Sequence, residues 1–338
     1  MTKEKTKHNI RLTAAEMGML WNHYMTASMA ICTTKYFLEK VEDEEVEPIV
    51  QYALENSKKQ LQTVKDIFKH ENHPIPMGFT DDDVNPEAPR LMSDAFVLYY
   101  LKFMGTIELA TASVSISAVA RSDVSDFFHE VLASAASLHR KATDLMLQKG
   151  VYIRPPYIPT PVRVDFVKEQ NFLTGFFGER HPLTSIEISH LFSNVITNAI
   201  GKVFMMAFAQ VTRSPDIREY FIRGKRIANK HMEVFSSILK EEDLPAPMSW
   251  DSHVMDTKTA PFSEKLMLFH TTTLTSTGLG NYGTAIAGSQ RRDLATHYFR
   301  LAQEVALYAE DGAKLLINKN WMEQPPQTPD RGALMRGQ

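Results

Sequence analysis

Five polar residues in the second half of this 338-residue chain stand where they could converge: Asn194, Asn198, His231, Asn281 and Glu304. His231 falls on the apolar stripe of a helical stretch, between Ile227 and Val234, while Asn194 and Asn198 lie one turn apart on another. Glu304 is one residue off an apolar seam and shares a face with His297, Leu301 and Tyr308. One imidazole, one carboxylate and a set of amides at one level of a bundle can hold a single metal ion, iron or zinc. They can equally satisfy one another as a buried hydrogen-bond network. Buried polar side chains are usually paired with each other, so these residue types favour the network over the metal. The first half has His23 or Ala27, Gln60 and Ser134 at the matching positions and should bind nothing there.

Other reactive groupings are sparse. The chain has one Glu-x-x-His, Glu187 to His190, in a first helical turn, and its counterpart Glu16 to Met19 lacks the histidine. A di-iron bundle needs that motif twice, with a further glutamate from each remaining helix, so the set is incomplete. Cys32 is the lone cysteine, which excludes an internal disulfide and a thiolate metal site and reads as a buried helix residue. Thr80 to Asn85 resembles part of a calcium loop but lacks the glycine and closing glutamate, and is expected to be a solvated turn. Asp123 and Asp293, in the matched Arg-x-Asp corners 121–123 and 291–293, are expected to cap the fourth helix of each half. No Ser-His-Asp or Cys-His set follows from the spacing, and no enzymatic activity is expected. The Tyr308–Gly312 stretch, YAEDG, is distinctive without an evident chemistry.

The elements that would position these residues are legible because the chain repeats itself. Lys69–Phe79 (KHENHPIPMGF) returns as Lys240–Trp250 (KEEDLPAPMSW), and flanking features recur at a nearly constant offset. Thr13 with Glu16 and Thr184 with Glu187 form capping boxes that open the first helix of each half, running to about Lys40 and about Val211. Second helices start near Glu45 and near Ser214-Pro215, third helices near Pro89 and Pro261 with Ser93 and Ser263 in matching places. In the fourth helices, Val124, Phe128, Val131, Ala135, Leu138, Ala142 and Leu145 are echoed by Leu294, Tyr298, Leu301, Val305, Tyr308, Gly312 and Leu315.

Connection lengths then fix the topology. Helices one and two, and three and four, are joined by a few residues, so each pair is an antiparallel hairpin. A long helix here spans about 40 Å, and the middle connection can reach about 60 Å when extended. It can therefore cross the whole bundle. The expected fold is all-α, a tandem duplication of two ferritin-like four-helix bundles, each with one long crossover between helices 2 and 3. The expected organisation is a disordered N-terminus at 1–11, a first bundle at 12–156, a packed aromatic and proline-rich linker at 157–182, a second bundle at 183–326 and a disordered tail at 327–338. A small-ligand site between the bundles, near Tyr157–Phe177, is a further expectation.

With a formal charge of −3 the chain has no basic footprint, which argues against nucleic-acid binding. The uncharged stretch Leu266–Gln290 is too rich in Thr, Ser, Gly and Asn for a membrane span, and a helix buried among helices is expected. No apolar signal core follows the N-terminus, so a cytoplasmic location is expected.

The segments HPIPMGFTDDDVN (73–85), SPDIREYFIRGK (214–225), APFSEKLMLFH (260–270), GNYGTAIAGSQRRDL (280–294) and YAEDGAKLLINKNWMEQPP (308–326) resemble the bacterial family called domain of unknown function 3231. The likeness runs from about Leu12 to Pro326. It implies a ferritin-like fold related to spore-coat-F-like proteins, a doubled domain and occurrence in endospore-forming bacteria. A spore-associated role, with self-association or coat-protein partners, is what the resemblance implies. It brings no catalytic residues and no cofactor.

Overall fold

The computed structural model describes residues 10–176 and 180–337. The first half holds α1 (Ala14–Lys40), α2 (Glu47–His70), α3 (Asp94–Ala118) and α4 (Ser122–Gln148). The second holds α5 (Ser185–Val211), α6 (Pro215–Glu241), α7 (Glu264–Gly288) and α8 (Arg292–Asn318), followed by a short α9 (Arg331–Met335). Among the described residues there is no strand beyond two isolated bridges.

The helix starts follow from local chemistry. Thr13 and Thr184 accept from the backbone N–H groups of Glu16 and Glu187, whose carboxylates accept in return from the Thr backbone. Ser93 and Ser263 cap α3 and α7, and proline sits in the first turn of α2 and α6. Asp123 and Asp293 do not cap α4 and α8, contrary to expectation. Each grips the guanidinium two residues before it, Arg121 or Arg291, because that cation is close and the helix start is already served by a glutamate. Glu16 Oε1 accepts from Ala120 and Arg121 N–H, and Glu187 Oε1 from Gln290 and Arg291 N–H. One buried carboxylate thus ties the starts of the first and fourth helices in both halves.

In each half the hairpins pack side by side: α1 on α2 and α3, α4 on α3 and α2, and likewise α5 on α6 and α7, α8 on α7 and α6. Two hairpins joined by one long crossover make each half a four-helix bundle, and the chain is an all-α tandem duplication as expected. The uncharged stretch that follows Glu264 and Lys265 in α7 is partly buried among its neighbours as expected. Among the described residues the one helix long and apolar enough to cross a membrane is instead α5, and most of that apolar stretch is buried.

What joins the halves was not expected. The crossovers pair with each other: Asn85 N–H donates to Pro261 O at 2.7 Å, Ser263 N–H to Asp83 O at 2.9 Å, Ser93 N–H to His253 O at 3.0 Å and Met255 N–H to Leu91 O at 2.9 Å. Aromatic rings cross the same boundary, with Tyr36 against Phe262, Phe79 against Phe269, and Phe96 and Tyr100 against Phe204. Tyr100 and His270, equivalent positions of the two copies, bond to one another between Oη and Nε2 at 3.0 Å. The core is consequently one continuous cluster through both bundles.

One expectation is refined and two need correcting. Thr80–Asn85 is a mostly exposed turn as expected, but it is also tied to the second half: Thr80 caps a 3-10 turn at Asp81–Asp83, and Asp83 accepts from Ser263 Oγ at 2.6 Å. The linker is largely unpacked, with Tyr157, Val162, Val164, Phe166 and Val167 exposed. Its prolines favour an extended, solvated path, and the paired crossovers leave it no orienting task. Only its end docks: Gly175 lies against Asp293 of α8, and Phe172 stacks on His181 within the segment itself at 3.9 Å. Phe177 and most of the expected disordered N-terminus fall outside the described residues. The tail, expected to be disordered, contains α9, started by Asp330, whose Oδ1 accepts from Ala333 N–H at 2.9 Å.

Candidate functional site

Four helices of the second bundle bring polar groups to one level. His231 is fully buried on the inner stripe of α6. Its Nε2 lies 2.9 Å from Glu304 Oε2 on α8, and its Nδ1 lies 2.8 Å from the Tyr282 hydroxyl on α7. Asn198 on α5 donates from Nδ2 to the same hydroxyl at 2.9 Å. At the outer end Lys230 Nζ lies 2.9 Å from Glu304 Oε2. The result is a chain, Lys230–Glu304–His231–Tyr282–Asn198, leading from solvent into the core. Tyr282, Tyr298 and Phe235 pack ring on ring beneath it.

Electrostatics follow the geometry. Burial lowers the His231 pKa, and the Glu304 carboxylate only partly pulls it back. Burial pushes Glu304 up, but hydrogen bonds from His231 and Lys230 overcome that and leave it below the usual carboxylate range. A neutral imidazole between a carboxylate and a phenol relays hydrogen bonds and fixes the mutual heights of α6, α7 and α8.

The residues expected to hold a metal divide here. His231, Glu304 and Asn198 meet, the last through Tyr282. Asn194 stays out of the chain: its Nδ2 donates to His190 O one turn back at 2.8 Å, and Asn281 turns to Thr197 Oγ1 at 3.3 Å. Asn198 likewise donates to Asn194 O. Both His231 nitrogens have partners, and the carboxylate is shared with an ammonium. Among the described residues no three His, Cys, Asp or Glu side chains gather in a way that could hold an ion. The residues present do not fit iron or zinc, because one imidazole and one carboxylate already hydrogen-bonded to each other leave the ion too few ligands.

Tyr282 and Lys230 were missed by sequence reasoning. Tyr282 neighbours Asn281, which was placed at the right height, but one residue along a helix turns the face by about 100°. Lys230 sits next to His231 and is about half exposed, so no apolar pattern marks it. In the first bundle His23 Nε2 contacts Gln60 Oε1 at 3.2 Å, and Gln60 Nε2 donates to Ser134 Oγ at 3.2 Å. The three matching positions thus meet as a shorter, uncharged chain. Glu187 of the Glu-x-x-His is fully engaged as a cap, and Cys32 is buried with its thiol pushed up to about 12 by burial and nearby aspartates.

Along the segment Tyr157–Phe177, where a small-ligand cleft was expected, most of the described side chains are exposed, among them Tyr157, Val162, Val164 and Phe166. A pocket of about 200 Å³ lies just before it, lined by Tyr152, Ile153 and Pro155 together with α3 and α5.

Comparison with known proteins adds the family. The model described as "Protein of unknown function (DUF3231)" matches twice, at residues 1–164 and 171–334. A search of curated proteins finds no match. Among solved structures, a candidate spore coat protein from Bacillus halodurans C-125 is similar at 18% identity, covering 45% of this chain and 98% of its own, with a TM-score of 0.40. Two matches in tandem span nearly the full sequence, and the chain belongs to the DUF3231 family.

Proposed function

We propose that the protein is a non-enzymatic structural component associated with sporulation and the spore coat, acting through its surfaces and not through chemistry in its interior. The observation that carries this reading is the state of the bundle interiors. At the level where ferritin-like enzymes place metal ligands, each bundle carries polar side chains engaged with one another: His231 with Glu304 and Tyr282, and His23 with Gln60. Such bonded chains give register and rigidity, and they commit the His231 and Glu304 groups that a metal or substrate would need. The link to sporulation rests on the occurrence of the resembled family in endospore-forming bacteria. Exposed apolar side chains on α8, Phe299 and Leu307, offer contact area to a coat partner or a second copy.

Expressing the full chain fused to a fluorescent protein in a sporulating host tests the location. Signal concentrating on the developing coat is expected, and an even distribution through the mother cell until lysis contradicts the coat assignment. Elemental analysis of protein purified without chelators tests the rest. Iron or zinc at one equivalent, lost in His231→Ala, would replace this reading with a metal-site one.

A further inference from the structure

The pocket between the halves has a composition that the structural role does not require. Its walls come from three elements that meet only because the bundles are locked together: α3 gives Tyr99, Lys102 and Phe103, the exit from α4 gives Tyr152, and α5 gives Phe192 and Ile196. Four of those six are aromatic. The cavity of about 200 Å³ lies below the range typical of drug-sized sites and suits a fragment-sized molecule. Its walls are held in advance. The Tyr99 phenol donates to Val151 O, and its ring lies 4.2 Å from that of Trp250 on the second crossover.

Lys102 is the charged group on this lining. It is half-buried, and its Nζ stands 5.8 Å over the Tyr152 ring. Among the described residues no carboxylate lies within 4.0 Å of it, whereas the other well-buried cations, Lys202, Arg121 and Arg291, each have one. Burial lowers the Lys102 pKa, and the His139 pKa is lowered by burial and by the Lys102 charge. The lining around this ammonium holds apolar side chains, aromatic rings and two serines but no carboxylate. A half-buried charge without a partner is costly, and a bound anion would relieve that cost. A single ammonium matches a single negative charge. No second basic side chain lines the pocket to clamp a phosphate.

We propose that this inter-bundle pocket binds a small aromatic monocarboxylate, its ring among Phe103, Tyr152 and Phe192 and its carboxylate on Lys102 Nζ. Ser193, on the α5 wall, adds a hydroxyl to the same lining. Because the site is built from both halves, occupancy stabilises their association.

Isothermal titration of the full chain with benzoate, benzamide and inorganic phosphate tests this. Benzoate should saturate with a Kd below about 1 mM, and benzamide and phosphate should bind at least about tenfold more weakly. Lys102→Met, which keeps the apolar stem, should weaken benzoate by about tenfold or more. Ile196→Trp, which fills the cavity, should abolish binding with the helical circular dichroism retained. Absence of saturable benzoate binding, equal binding of benzamide, or unchanged affinity in either variant overturns the proposal. The benzoate–benzamide comparison uses only the native chain, so it decides the matter even if a substitution prevents folding.

Discussion

Glu16 is nearly inaccessible to solvent, yet it must stay ionised to serve two helix starts at once. Burial alone would raise its pKa, but the hydrogen bonds from Thr13, Arg121 and Ala120 overcome this and hold it at about 2 against an ordinary 4.5. Two histidines respond at higher pH. Burial holds His23 at about 4 and His270 at about 3, against 6.5 in an unfolded chain. Both are neutral in the folded protein while the unfolded chain takes up protons below 6.5, so acid favours unfolding. Stability should fall by about 1.4 kcal/mol per pH unit for each histidine as the pH drops from about 6 to 4.5. Below 4.5 the Glu16 contribution, complete above that value, is lost as well on the way to about 2. Urea unfolding at a series of pH values measures this, and His23→Gln should remove one histidine's share of the slope. Glu108, which burial raises to about 7, contributes with the opposite sign over this window, so a slope left unchanged by His23→Gln between pH 6.5 and 4.5 is what would refute the assignment. The capping role of Glu16 was readable from Thr-x-x-Glu spacing. Its bonds to Ala120 and Arg121 were not, because contacts over a hundred positions leave no local pattern.

At the scale of helices, the YAEDG stretch that carried no evident chemistry proves to be a packing device. Tyr308 of α8 and Tyr220 of α6 stack with ring centroids 4.3 Å apart and planes 6° from parallel. Each hydroxyl reaches the partner helix where a glycine removes the side chain. A Cβ on Gly224 would meet Tyr308 Oη at 2.2 Å, and one on Gly312 would meet Tyr220 Oη at 2.3 Å. Alanine is the better helix former by about 1 kcal/mol, but here overpacking costs about 1–3 kcal/mol and wins. Gly312→Ala should therefore destabilise the protein. Gly201→Ala in α5, where nothing lies within 4 Å, should stabilise it by about 0.5–1 kcal/mol. Melting temperatures of the two variants check the contrast, and a shared sign would show that packing does not decide it. Helix extents and the crossover were legible because apolar periodicity and connection length are properties of sequence alone. The direct pairing of the two crossovers was not, since it consists of isolated backbone bonds between irregular segments.

For the molecule as a whole, the question is what makes two bundles one body. The aromatic residues of 157–182 read as a packed brace, but most of that segment is exposed, and the boundary is closed elsewhere. Backbone bonds join the crossovers, Tyr100 bonds to His270, and the core runs through both halves without a break. The aromatic signal was real but misassigned: hydrophobicity in a stretch between domains does not say whether it faces protein or solvent, and the prolines were the better guide. If the crossovers hold the halves together, covalent continuity through the linker is dispensable once the chain has folded. Inserting a specific protease site after Arg163, an exposed position, and cutting the folded protein should give two fragments that still co-elute at the native volume. The nicked protein should then melt in one transition at a lower, concentration-dependent temperature, because the cut makes association of the halves bimolecular. A linker that braces the bundles predicts the reverse, separation on cutting or two independent transitions. Pairing Tyr100→Ala with the cut sharpens the test. Truncating that ring removes both the His270 bond and the contact with Phe204, so the nicked variant should dissociate under conditions where the nicked native sequence does not.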